Sequence, residues 1–300
     1  VVSNERDLPP FAGGPAPGVD AARFSRHRSD FDRALAAGDL VAARGAVDAL
    51  RALDADAADA WFALGRLELA AGAPDRARDA FRRARDLDAL RFRAPGAINE
   101  IVRALARRHG ATVVEVEQRF VEASPPGGPG DTLLLEHVHP NADGYFLLAD
   151  TYFEALRRDG LLGPLEDAPS FEAARRDMPL TELDRRVAAL RVQELRAGFP
   201  FSDPPRPVTL PPTRDAVEQL ARLLHAGAIR PIDAMDRLLQ IRTKQGRLLD
   251  AARVARLAAH EYPGDRGPNL AAGLLALQAD QPARARLYLC LLYTSDAADE

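Results

Sequence analysis

From Phe24 to Asp88 apolar residues recur at helical spacing, and the pattern repeats itself. Positions 34 residues apart pair Leu35 with Leu69, Ala37 with Ala71, Gly38 with Gly72, Ala43 with Ala77, Leu53 with Leu87 and Asp54 with Asp88. That period predicts amphipathic helices joined in hairpins over residues 24–89. Before it, Val1 to Phe11 starts apolar and runs into Pro9-Pro10, which cannot continue a ladder and so predicts the end of a buried strand. Gly13 to Gly18 reads as a loop. After it the period changes. Gly96 to Arg108 carries Ile98, Ile101, Val102 and Leu105 on one helical side, and His109-Gly110 ends the helix. Ala111 to Val116 (ATVVEV) is a β-branched run of strand length. Pro125 to Gly130 is a breaker-rich loop, and Tyr145 to Arg158 is an apolar-periodic helix closed by Gly160.

The second half alternates in the same way. Leu180 to Gly198 reads as a helix and Phe199 to Pro212 as a proline-rich, semi-rigid linker. Helices resume at Arg214. Ala251, Ala255, Ala258 and Pro263 follow the small-residue and terminal-proline places of the first repeat. Ala272-Gly273 and Ala285 extend it, Ala285 again 34 residues beyond Ala251. Trp61, Leu64, Gly65, Ala77, Phe81 and Ala84 fall where the tetratricopeptide repeat has its pattern residues, and both arrays resemble that repeat. The expected organisation is 1–12 with 90–163 as one domain, 24–89 as repeats inserted into it, 164–212 as a helical segment and linker, and 213–289 as a second array. Cys290 to Glu300 (CLLYTSDAADE) resembles a translated sequencing adapter, and 290–300 is expected to stand outside the fold.

Composition narrows the function classes. The net charge of −4 and the pI near 5.9 give no basic footprint for nucleic acid. Lys244 is the only lysine, and the Ala-, Arg-, Asp- and Leu-rich composition is that of GC-rich bacterial coding sequence. No run of eighteen apolar residues occurs, so no membrane-spanning segment is expected in this sequence. The single cysteine, Cys290, lies in the adapter-like stretch and says nothing of redox compartment.

The chemistry-bearing stretch is Leu133 to Ala149 (LLLEHVHPNADGYFLLA). An acid and a histidine stand three residues apart, Glu136 and His139, ahead of an Asn-Ala-Asp-Gly turn and an apolar helix. A loop of that length can set a carboxylate behind an imidazole, which is what a general base needs. Metal ligation by Glu136, His137 and His139 is a rival reading, and two solvated loop histidines are a third.

The stretch resembles the last motif block of the SGNH/GDSL hydrolases. The resemblance covers residues 1 to 12 and about 90 to 163. It implies an ester or acyl hydrolase in which His139 is the base and Glu136 its acidic partner, where the family usually has aspartate. It further implies a parallel-sheet α/β domain carrying the repeats, so that the expected fold is mainly α with a small α/β part. Asn4, in a segment ending Pro-Pro-Phe, would stand at the rim of the active site or simply cap a strand end, and His137 would be rim or structural. The family's serine, glycine and asparagine blocks would precede Val1, and these residues alone are expected to be inactive. Repeat-bearing relatives look anchored through a segment upstream of that point. No cofactor or metal is implied. The expected partners are an ester or acylated substrate and a protein bound by the repeats. A repeat scaffold with a degenerate hydrolase remnant is the alternative.

Overall fold

The 34-residue recurrence becomes a set of helix hairpins. In the computed structural model, which describes residues 1–163 and 168–296 (backbone alone for 291–296), the chain forms two units, Val1–Arg176 and Asp177–Glu300. The first unit opens with α1 (Ala21–Ala36), α2 (Leu40–Leu53), α3 (Ala58–Ala70) and α4 (Pro74–Leu87). Asp20 and Asp39 cap α1 and α2 by accepting from the N–H groups of Arg23 and Ala42, and Pro74 starts α4 where no N–H is needed. Each hairpin turns on a glycine in the left-handed region, Gly38 at φ 75° and Gly72 at φ 73°.

Residue size sets how the helices meet. A Cβ on Gly65 would lie 2.5 Å from the Phe81 ring, so the glycine is the space into which the phenylalanine packs. One repeat earlier the order reverses, with Phe31 at the place of Gly65 and Val47 at that of Phe81, both in one buried core. Ala43 and Ala77 are fully buried at equivalent positions. The repeat also shows in polar chemistry. Asp54 follows α2 and accepts from Ala16 N–H at 2.8 Å; Asp88 follows α4 and accepts from Phe11 N–H at 2.8 Å and Ala12 N–H at 2.9 Å. Two aspartates one period apart thus hold the N-terminal segment against the helix ends.

The remainder of the unit is α5 (Gly96–His109), α6 (Val116–Ala123), α7 (Ala142–Arg158) and the short α8 (Phe171–Arg176). Phe120 of α6 and Leu147 of α7 bury Leu133 and Leu134 between them. The expected parallel sheet is not there: among the described residues there is no strand, only an isolated antiparallel bridge between Leu134 and Pro140. Residues 111–115 are non-helical and form no β-bridge, and Val116 opens α6 instead of ending a strand. A β-branched run becomes a strand only when a second strand satisfies its backbone groups. The Val1–Phe11 segment does not supply one. Asn4 N–H goes to His137 O at 2.9 Å and Glu5 N–H to Pro129 O at 3.2 Å. Without a sheet beneath it, the apolar side of α5 (Ile98, Ile101, Val102, Leu105) is exposed.

The second unit contains α9 (Glu182–Ala197), α10 (Ala216–His225), α11 (Pro231–Lys244), α12 (Leu248–Glu261), α13 (Arg266–Gln278) and α14 (Pro282–Asp296). Thr181 and Asp184 close a reciprocal capping box on α9. The proline-rich 199–212 joins α9 to α10, which share a core of Leu183, Val187, Leu190, Val217 and Leu220. α11 to α14 repeat the earlier hairpins. Ala251 and Ala285 are fully buried, and a Cβ on Gly273 would fall 2.6 Å from Leu289. The turn glycine recurs as Gly246 at φ 69°, while its counterpart one period on is Asp280 at φ 55°. Within the adapter-like stretch the backbone of α14 stays helical to Asp296; residues 297–300 lie outside the described residues, as do 164–167 at the start of the expected 164–212 segment. No helix among the described residues is long and apolar enough to cross a membrane. The chain is mainly α.

Candidate active site

The loop from Gly130 to Asn141 is built by its own backbone. Leu133 and Leu134 N–H both reach Gly130 O, Leu135 N–H reaches His139 O at 2.8 Å, and Asn141 N–H reaches Leu133 O at 2.9 Å. Asn141 then caps α7, its Oδ1 accepting from Gly144 N–H at 3.0 Å. A Cβ on Gly144 would stand 2.1 Å from Leu133 O, so only glycine lets the first turn of α7 close over the loop. Burying Leu133 and Leu134 therefore fixes where the next residues go.

Glu136 goes inward. It is 1 % exposed, and each carboxylate oxygen accepts one backbone N–H: Oε1 from His139 at 2.8 Å, Oε2 from His137 at 2.7 Å. The His139 imidazole turns Nδ1 onto Oε1 of that carboxylate, and the His137 ring lies against Oε2 without a ring hydrogen bond to it. A carboxylate oxygen accepts, so the His139 proton sits on Nδ1 and Nε2 keeps its lone pair. The His139 side chain is 61 % exposed, against 15 % for His137. Glutamate, one methylene longer than aspartate, reaches the ring directly, and the ring faces it instead of a backbone carbonyl.

His137 is enclosed. Its ring meets Phe11 edge-on at 5.6 Å and Phe92 at 6.0 Å. Burial pushes its pKa below the usual histidine value, and the charges of His139 and Arg93 push it the same way. Asn4 lies buried under the loop. Besides the Asn4 N–H bond to His137 O, its Nδ2 donates to Asp131 Oδ1 at 2.7 Å and its Oδ1 accepts from Asp7 N–H at 3.1 Å. It holds the N-terminal segment to the loop and presents no free polar atom to a substrate.

Two residues to which the sequence reading gave no part in the site complete the support. Arg93 is 2 % exposed, and its guanidinium donates to the carbonyls of Asn4, Leu8 and Pro9 and to Asp88 Oδ2 at 3.2 Å. Its Cζ lies 5.5 Å from the centre of the Phe11 ring. Asp88 thus binds the segment and its clamp together; its recurrence with Asp54 was the only hint in the sequence.

Among the described residues no group of three or more His, Cys, Asp or Glu side chains is placed to hold a metal ion. The inner serines are engaged locally: Ser3 Oγ with Glu5, Ser124 Oγ with Phe120 O, Ser202 Oγ with Pro204 O. The arrangement can take a proton at His139 Nε2 and stabilise the resulting imidazolium with a buried carboxylate. Compared with known protein families, curated proteins and solved structures, the chain matches none.

Proposed function

We propose that Glu136 and His139 are the acid and base of an ester or acyl hydrolase of the SGNH/GDSL kind. The observation that carries the reading is the pairing of His139 Nδ1 with a buried carboxylate while the other side of the ring is open. On this reading Nε2 takes the proton of a serine hydroxyl as it attacks the acyl carbonyl, and returns it to the leaving alcohol. Glu136 orients the ring and stabilises its charged form. The serine and the oxyanion donors would come from residues ahead of Val1, and a parallel sheet from the same region would cover the apolar side of α5. The repeats would bring a partner or an acylated carrier to this site.

The test is to read the coding sequence upstream of Val1 and to assay the longer chain on p-nitrophenyl esters. A strand followed by Gly-x-Ser, and turnover that falls by about 10⁴-fold or more in His139→Ala, is the expected result. An upstream frame of further helical repeats, or turnover indifferent to His139, overturns it.

A second reading, a protein-binding scaffold, is favoured by a groove of about 740 Å³ lined by Arg28, Phe31, Asp32, Phe62, Arg66 and Phe81. It becomes the better one if the serine block is missing upstream.

A further inference from the structure

We infer that the groove between α12, α13 and α14 is a docking site for an extended acidic peptide, and that Asp177 and Met178 of the same chain occupy it until one binds. The inference is independent of the roles proposed for Glu136 and His139. The two arrays correspond position for position: Gly65 and Phe81 match Gly273 and Leu289, and Pro74 matches Pro282. In the same register Arg44, Glu68 and Arg76 of the first array fall at Ala252, Ala276 and Arg284 of the second. In the first array Glu68 of α3 is buried. It takes Arg44 of α2 on Oε1 and Arg76 of α4 on Oε2, each at 2.7 Å. The space between the second helices of those hairpins is thus plugged by the array's own carboxylate.

The second array lacks the plug. Ala252 and Ala276 leave a floor of small buried side chains. Arg284 makes no ion pair among the described residues and reaches only Gln281 Oε1, at 3.5 Å. Two further cations are added, for α12 has Arg253 and Arg256 where α2 has Gly45 and Asp48. With Tyr288 these residues line a groove of about 190 Å³. Asp250 at its edge is already paired with Arg247, at 2.6 Å. Three arginines around an apolar floor call for anionic groups, since a partly buried cation without a counter-charge is costly.

The present occupant shows which anionic groups fit. Asp177 Oδ1 meets Arg256 Nη2 at 2.6 Å, and the Met178 carbonyl accepts from Arg253 Nη2. A side-chain carboxylate and the main-chain carbonyl beside it are what an extended acidic peptide offers. The Arg256 side chain is 15 % exposed and that of Asp177 47 %, so the cation is built in and its partner sits at the rim, where an ion pair is exchanged at little cost. Arg284 remains for a second carboxylate. The groove has room for single side chains and not for a folded surface. It also differs in place from the groove of the first unit, which is lined by α1 and α3, the first helices of their hairpins.

The experiment is fluorescence anisotropy of a fluorescein-labelled peptide, Gly-Asp-Met-Pro-Asp-Gly, titrated with the chain as it stands. The peptide copies residues 177–179 and adds a carboxylate for Arg284. Asp177→Asn is expected to tighten binding about tenfold, because apparent affinity scales with the fraction of molecules whose groove is open. Arg284→Ala is expected to weaken it about tenfold, the loss of one charge-assisted hydrogen bond. Ala276→Glu restores the plug and is expected to abolish binding; should that variant not fold, the exposed Arg284 still carries the test. The same peptide with asparagine for both aspartates is expected not to bind. Equal binding of the asparagine peptide, or an affinity indifferent to Arg284→Ala, overturns the inference. So does a lack of binding even in Asp177→Asn, which would leave Asp177 as an anchor for the chain ahead of α9 and nothing more. A short oligothymidylate that competes as well as unlabelled peptide also overturns it, since the groove would then be a phosphate site.

Discussion

The hairpins of residues 21–87 and the site-bearing residues that follow are held together by different means. The hairpins are packed by size: Phe81 into the space at Gly65, Phe31 beside Val47, with Ala43 and Ala77 at the tight crossings. The site region buries few apolar side chains, chiefly Phe120, Leu133, Leu134 and Leu147, and leaves the apolar side of α5 in solvent. What holds it is polar and long-range: Arg93 on three carbonyls and Asp88, Asn4 on the loop, Glu136 on two backbone N–H groups. The first scheme recurs with other residues, as Gly273 beside Leu289 shows in the second unit. The second scheme depends on individual donors and acceptors.

The sharpest way to break this contrast is to truncate one residue of each kind. Trp61, the only tryptophan, sits in α3 and reports unfolding of the first unit by fluorescence. Phe81→Ala should cost about 3–5 kcal/mol by opening a cavity that α3 cannot close. Arg93→Ala should cost a similar amount, about 3–5 kcal/mol, because it leaves the buried Asp88 carboxylate without its counter-ion. Urea unfolding followed at Trp61 measures both. A cost under about 1 kcal/mol for Arg93→Ala, the level of an exposed ion pair, would mean that water replaces the clamp and that the two regions are held alike.

Gly65→Ala is the next step down. Its Cβ would stand 2.5 Å from the Phe81 ring, and overpacking of this kind costs about 1–3 kcal/mol. Combining it with Phe81→Leu, which removes about as much volume as the added methyl brings, should recover part of the loss. Failure of the pair to recover anything, read by the same fluorescence transition, would show that shape and not summed volume governs the hairpins.

A pH dependence separates the regions by sign. The pKa of His137 is pushed below 6.5 by burial, so in the window just under 6.5 the unfolded chain binds more protons than the folded one. The contribution is fully present above that window and is lost as pH falls through it. Glu5, whose carboxyl burial pushes up, contributes with the opposite sign, and its stability is lost as pH rises. Comparing the chain with His137→Phe cancels Glu5. The Trp61 transition should weaken between pH 7 and pH 5 more in the unaltered chain than in the variant. Parallel pH profiles would mean that the ring is not neutral in the fold.

These two schemes also explain what the sequence could tell. A size-packed hairpin writes its period into the chain, so Gly38 and Gly72, and Ala43 and Ala77, could be read directly; Glu136 and His139 could be read too, because they stand three residues apart in one loop. A strand is not a local property. ATVVEV has the right residues, but it forms no β-bridge among the described residues, and Val116 instead opens α6 and packs with Phe120. Arg93 stands in an Arg-Phe-Arg triplet with no periodic neighbour, and the carbonyls it binds lie more than eighty residues away in sequence. Nothing local marks it as buried. The enclosure of His137 by Phe11 and Phe92 is invisible for the same reason.

The smallest expected effect is the most informative about α5. Ile101 belongs to an i, i+3, i+4, i+7 apolar stripe that would normally face a core, yet it is 53 % exposed. Ile101→Ser should change stability by no more than about 0.5 kcal/mol, as for other surface substitutions, and it should improve solubility by breaking an apolar patch. Chemical unfolding with Trp61 as reporter, at two protein concentrations, tests both parts. A cost well above that figure, or a cost that grows with concentration, would mean that a second chain already covers the stripe. The proposed hydrolase domain makes the complementary demand: in a longer chain a sheet would lie over α5, and the same serine would then be a buried hydroxyl without a partner, destabilising by about 1–3 kcal/mol. One substitution, silent in these residues and costly in the longer chain, would place the sheet over α5.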